Sequence, residues 1–143
     1  MSTMAATGAP PLWPDDALPF VPLPASGDDG FPQAFLLDAG GTVYRVTLAV
    51  TFTDPAPVLG AAGAGALLDL PDPEQGLFLN LTLEREDLPA PARLLGSRRV
   101  VPGIPIAVGP LCFRFDRITV AQPNLVAPGQ FGSELVAEVA PRG

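Results

Sequence analysis

The 143-residue sequence contains no histidine and no lysine, and it has a single cysteine, Cys112. Each absence excludes some chemistry. Without histidine, Ser-His-Asp and Cys-His pairs cannot form within the chain, and neither can metal sites that need imidazole. One cysteine cannot close an internal disulfide, which fits a reducing compartment. Cys112 stands between Leu111 and Phe113 and reads as a small buried hydrophobe. Any run of about 18 apolar residues is interrupted by proline, glycine or charge, so no membrane-spanning helix and no membrane partner are expected. The opening MSTMAATGAPPLWPDD has neither a basic stretch nor a continuous apolar stretch, so no secretion leader is expected.

What is abundant is punctuation and acid. There are 19 prolines and 15 glycines, and the formal net charge is −7 with every cation an arginine. An acidic chain gains little from phosphate backbones, so no nucleic-acid partner is expected. The charges are unevenly spread. Residues 1–44 hold Asp15, Asp16, Asp28, Asp29 and Asp38 and no arginine. Residues 93–117 hold Arg93, Arg98, Arg99, Arg114 and Arg117 against Asp116 alone. Two readings follow: two solvated surfaces, or an acidic arm attracted to a basic face.

Seven of the prolines fall in residues 1–32. Proline fixes φ and donates no hydrogen bond, which rules out a central strand or a regular helix there. The same segment carries Trp13, Phe20 and Phe31, unlike a typical disordered tail. It reads as an extended arm that docks on a surface, followed by one β domain over 33–143. The expected anchor on a partner subunit is Trp13 or Phe20, with Phe31 also a candidate contact.

Beyond the arm, the windows between prolines read as strands. Tyr44, Val46, Leu48, Val50 and Phe52 alternate with polar or small residues, the period of a half-buried strand. Gln33 to Asp38 precedes them, and Ala39-Gly40-Gly41 supplies a turn, so 33–53 is predicted as a hairpin. Leu77, Leu79, Leu81 and Leu83 share one face of a second strand over 77–86. Residues 92–101, 111–120 and 131–140 are further candidates. In 111–120 the apolar phase changes: Leu111, Phe113 and Phe115 fall on one face, Ile118 and Val120 on the other. That change predicts a bulge or a strand that switches partners. The best helical stretch, 61–70, is weakened by Gly63 and Gly65. The fold class expected is all-β: a small antiparallel sandwich or barrel with a proline-rich arm.

No run of carboxylates makes a site. Asp69, Asp72 and Glu74 in LDLPDPEQG lack the spacing of an EF-hand and read as a turn. Glu84, Glu86 and Asp87 supply acids at a strand end, without a sugar cleft to serve. GAAGAGA at 60–66 lacks the Lys-Ser/Thr of a phosphate loop. Asn80-Leu81-Thr82 matches a glycosylation pattern but lies within a predicted strand. No catalytic residue, metal or cofactor is expected. Arg98 and Arg99, flanked by Leu94-Leu95 and Val100-Val101, are the charged pair best suited to a partner's carboxylates, since guanidinium groups tolerate partial burial. An all-arginine set is also what a GC-rich gene encodes.

From residue 33 onward the order of motifs resembles the small baseplate plug proteins of contractile-tailed bacteriophages. The motifs are LLDAGGTVYRVTLAV (36–50), LFLNLTLERED (77–87), ARLLGSRRVVPGIPI (92–106) and FGSELVAEV (131–139). The chain departs from that family at Phe78, where a Trp or Tyr is usual, and at Val139-Ala140, where an aromatic end is usual. Residues 1–32 and 54–70 have no counterpart. The resemblance implies a non-enzymatic virion protein in a tail tip, assembled in a bacterial cytoplasm. Its partners would be other baseplate proteins or further copies of itself. A head decoration or connector protein, a small β-barrel that binds a ligand or peptide, and an enzyme using only carboxylates and arginine are the competing expectations.

Overall fold

Alternating apolar residues in separate short windows can be buried only if the strands stack in layers. In the computed structural model they form two antiparallel sheets packed face to face, a small β-sandwich. The structure describes residues 20–51, 67–74 and 76–141. The expectations for Trp13, for Phe52 and for the start of the 61–70 window lie outside those residues.

One sheet runs β2-β3-β5-β6, built from Gln33–Ala39, Thr42–Thr51, Phe78–Arg85 and Leu94–Val100. The predicted hairpin is its start. Leu37 faces Tyr44 and Ala39 faces Thr42 across a two-residue turn. Gly40 and Gly41 have φ of 64° and 89°, the geometry of the tight turn that matches strand twist. Tyr44, Val46 and Leu48 are buried and Val50 packs against the core from a half-buried position. On β5 the leucines 79, 81 and 83 are fully buried, as is Leu77 just before it.

The second sheet runs β1-β9-β8-β4, with β7 also on β8. Its strands are Val21–Pro22, Glu134–Pro141, Leu111–Ala121, Leu67–Asp69 and Ile106–Val108 respectively. β4 occupies the end of the window that had the best helical pattern. β8 pairs with β9 along most of its length; on its other side β7 covers one end and β4 the other. The phase change expected in β8 is a bulge. Phe115 pairs with Ala137 and Arg117 pairs with Val136, leaving Asp116 as the extra residue. The insertion brings Leu111, Phe113, Phe115, Ile118 and Val120 into the same core.

The described part of the arm lies on its own chain, where the expectation was an extended arm laid across a partner subunit. Val21 and Pro22 pair with Val139 and Glu138, and the Leu23 amide donates to the Ala137 carbonyl at 2.9 Å. Val21 and Leu23 take the hydrogen-bonding positions of this antiparallel ladder. Pro22, between them, has its nitrogen turned away from β9, so its missing donor costs nothing. Leu23 and Phe31 belong to the core.

A buried polar clasp holds the end of this segment. Asn124 is fully buried. Its Nδ2 donates to the carbonyls of Ala127 and Gly129 at 3.1 and 3.0 Å, and its Oδ1 accepts from the Ser133 hydroxyl at 2.6 Å. The Asn124 carbonyl accepts the Phe31 amide, and the Asp28 carbonyl accepts the Gly129 amide. Gly30, with φ of 70°, lies so close that a Cβ there would stand 2.2 Å from the Ala127 oxygen.

Leu48→Ala should cost about 2–5 kcal/mol in urea unfolding, because a fully buried side chain is lost between two sheets. Asn124→Ala should cost at least about 2 kcal/mol, since two carbonyls and a hydroxyl lose a buried partner. Asn124→Asp keeps the shape but cannot donate to two carbonyls, so it should be no more stable than the alanine variant. An aspartate variant as stable as the parent would show that the clasp contributes nothing.

Candidate functional site

The residues singled out from sequence do not converge on one place. Phe31 is 2% exposed; its ring is committed to this chain's core and offers nothing to a partner. Phe20 is half-buried, and the Arg114 guanidinium lies 4.2 Å from its ring centre. Arg114 also donates to Glu138 at 2.7 Å. The arginine therefore ties the segment entering β1 to the outer face of the β8–β9 pair.

Arg98 and Arg99 lie on β6, an edge strand, and both are exposed. They point to opposite faces. Arg98 is opposite Leu81, on the inward side, and its Nη1 donates to the Ala107 carbonyl of the other sheet at 3.1 Å. Arg99 is on the outward side, stacked 3.7 Å from the centre of the Phe78 ring. Phe78 thus serves as a platform for a cation. Neither arginine has a carboxylate partner among the described residues.

The acids at the end of β5 are bound up with arginines. Glu86 Oε2 accepts from Arg45 Nε at 2.8 Å and also from Arg93, while Glu84 lies 3.7 Å from Arg93. Asp87 pairs with Arg85 at 2.6 Å. The hydrogen bond from Arg45, with the added charge of Arg93, holds the Glu86 carboxyl below its ordinary range. Arg85 does the same to Asp87. Carboxyls held in this way stay ionised at neutral pH and cannot act there as general acids. Asp69 accepts from the Thr119 hydroxyl at 2.9 Å, a cross-strand contact between β4 and β8. Cys112 is buried and forms no disulfide. Among the described residues, no group of three or more acids or cysteines is placed to hold a metal ion, and no helix is long and apolar enough to cross a membrane.

An apolar notch of about 180 Å³ opens between the edges β1 and β2 at the hairpin tip, and Val21, Leu37, Ala39, Leu111 and Val139 line it. Asp38 is the charged residue at its rim. The β2 edge beside it was not identified from sequence. Its signal was present, however, in the run QAFLLDA, which has no proline and a single charge.

No known protein family matches this chain, and neither a curated protein nor a solved structure does.

The lowered Glu86 pKa carries a sign. The folded value lies below the unfolded one, so the stabilisation is fully present above the ordinary glutamate range and is lost as pH falls through the folded value. The melting temperature should therefore fall as pH drops below roughly 4, and Glu86→Gln should flatten part of that slope. Unchanged profiles in thermal melts across pH 2–7 would show that solvent screens the cluster completely.

Proposed function

We propose that this chain is a non-enzymatic structural component of a phage tail baseplate or a related contractile injection machine, held in place by neighbouring subunits. The observation that favours a structural role is the state of the carboxylates on β5 and just beyond it. Glu86 and Asp87 are each paired with arginines, an arrangement that suits a rigid outer face. The tail setting rests on the resemblance of the motifs between residues 33 and 139 to the plug proteins. Another virion position, as a head decoration or connector, shares the same structural chemistry.

The test is incorporation. A tagged copy is expressed in cells producing the particles, and purified tails and heads are analysed separately by mass spectrometry. The chain should travel with the tail fraction. Removing residues 2–19, which include Trp13, should leave the sandwich folded by circular dichroism and lower that incorporation. Absence of the full chain from both tails and heads would overturn the proposal.

A further inference from the structure

Among the described residues, every sheet edge but one is only two or three residues long or carries a bulge and an inward charge that block further pairing. β1 is two residues long and contains Pro22. β4 and β7 have three residues each, with Pro71 following the first and Pro105 and Pro110 flanking the second. β6 is longer but bulged: Leu83 pairs with Gly96 and Glu84 with Leu94, so Leu95 is extra. β6 also carries the inward-pointing charge of Arg98, bound to the Ala107 carbonyl. Short strands, prolines, bulges and inward charges are the standard means of keeping an edge from adding strands.

β2 is preceded by Pro32, but it is neither short nor bulged, and its one charge, Asp38, lies on the exposed outer face. The strand runs seven residues, Gln33–Ala39, without a bulge against β3. Its free peptide groups can be assigned. The Glu86 amide donates to the Val43 carbonyl, so Val43 points its backbone toward β5 and Thr42, Tyr44 and Val46 point theirs toward β2. Their partners Ala39, Leu37 and Phe35 are therefore bonded to β3. Ala34, Leu36 and Asp38 turn their amides and carbonyls away from β3, toward solvent. Their side chains all lie on the exposed outer face, with Leu36 54% exposed.

We propose that β2 is the pairing edge of a symmetric dimer, in which a second copy of the chain adds its own β2 antiparallel about Leu36. The free groups are spaced for this operation. Leu36 pairs with Leu36 of the partner subunit, and Ala34 pairs with Asp38 of the partner subunit. Each is a hydrogen-bonded pair that uses the groups now facing solvent. The charges allow it: each Asp38 meets an alanine, and no like charges stand directly opposite. Leu36, exposed in one copy, is covered by its equivalent. The apolar notch lies on the same side, between β1 and β2. The other long edge, β6, is blocked, so head-to-tail addition of β2 to β6 is disfavoured and growth stops at two copies. This inference does not depend on the tail setting.

The full-length chain is examined by sedimentation equilibrium over roughly 10 μM to 1 mM, the range in which so small a contact associates. Hydrogen exchange is followed across the same concentrations. A monomer–dimer equilibrium is expected, with the Leu36 and Asp38 amides gaining protection as concentration rises. Ala34→Lys places an ammonium opposite Asp38 of the partner subunit and should tighten the dimer about two- to tenfold, while Ala34→Glu should weaken it by a similar factor. Both changes lie on an exposed position, so neither should alter the monomer fold. A monomer at every concentration overturns the proposal. A dimer indifferent to both substitutions overturns it too, since its contact is elsewhere. Protection of these amides independent of concentration also overturns it, because the edge would then be covered within a single chain.

Discussion

The sandwich depends on β8 keeping one face apolar over eleven residues whose sequence pattern slips by one. Without a bulge, Ile118 and Val120 would face outward while Leu111, Phe113 and Phe115 face in, and no single core could hold all five. Asp116 absorbs the slip and remains exposed. The rest of the second sheet is arranged around this strand. β7 pairs before the bulge and β4 after it. Between them, single contacts continue the pairing: Gly103 donates to the Phe115 carbonyl at 2.7 Å and Leu70 to the Ile118 carbonyl at 3.0 Å. The proline-rich connections that deliver β4 and β7 need only supply short stretches of regular backbone.

The arginines complement this apolar frame mainly by fixing register. Arg114 with Glu138, and Arg117 with Glu134, bridge β8 and β9 on either side of the bulge. Each pair is partly exposed and contributes little energy by itself. A shift of one residue would turn those charges inward, so their effect is on which pairing is chosen. Arg45, Glu86, Arg93 and Glu84 do the same where β3, β5 and the approach to β6 meet. Arg98 acts between the sheets, closing the β6–β7 side of the sandwich through a backbone carbonyl.

The N-terminal segment shows how a correct local reading can leave the tertiary role open. Seven prolines do exclude a central strand. They do not exclude a two-residue edge strand in which the proline sits at a position that needs no donor, which is what Val21–Pro22 forms. Nor do they prevent Leu23 and Phe31 from reaching the core. The clasp around Asn124 was equally hidden, because it joins the local partners at 127, 129 and 133 to residues 28 and 31, which are far away in the sequence.

Legible in the residues alone were the class of fold, the hairpin that starts at residue 33 with its glycine turn, the apolar faces of β3 and β5, the break in phase within β8 and the burial of Cys112. All are local: period two, a turn that needs positive φ and a bulge read from a slipped alternation depend on neighbours along the chain. Packing settled the layering into two sheets, the pairing of β1 with β9, the capture of Phe31 by its own core and the division of β8 between β4 and β7. It also decided what the charged residues do. The same arginine can be a solvated face, a clamp on a carboxylate or a lid on a sheet edge, and the choice is set by which backbone carbonyl, ring or acid the fold brings within reach. The long, unbulged edge of β2 belongs to this second kind, because a strand is an edge only in relation to the strands that do not pair with it.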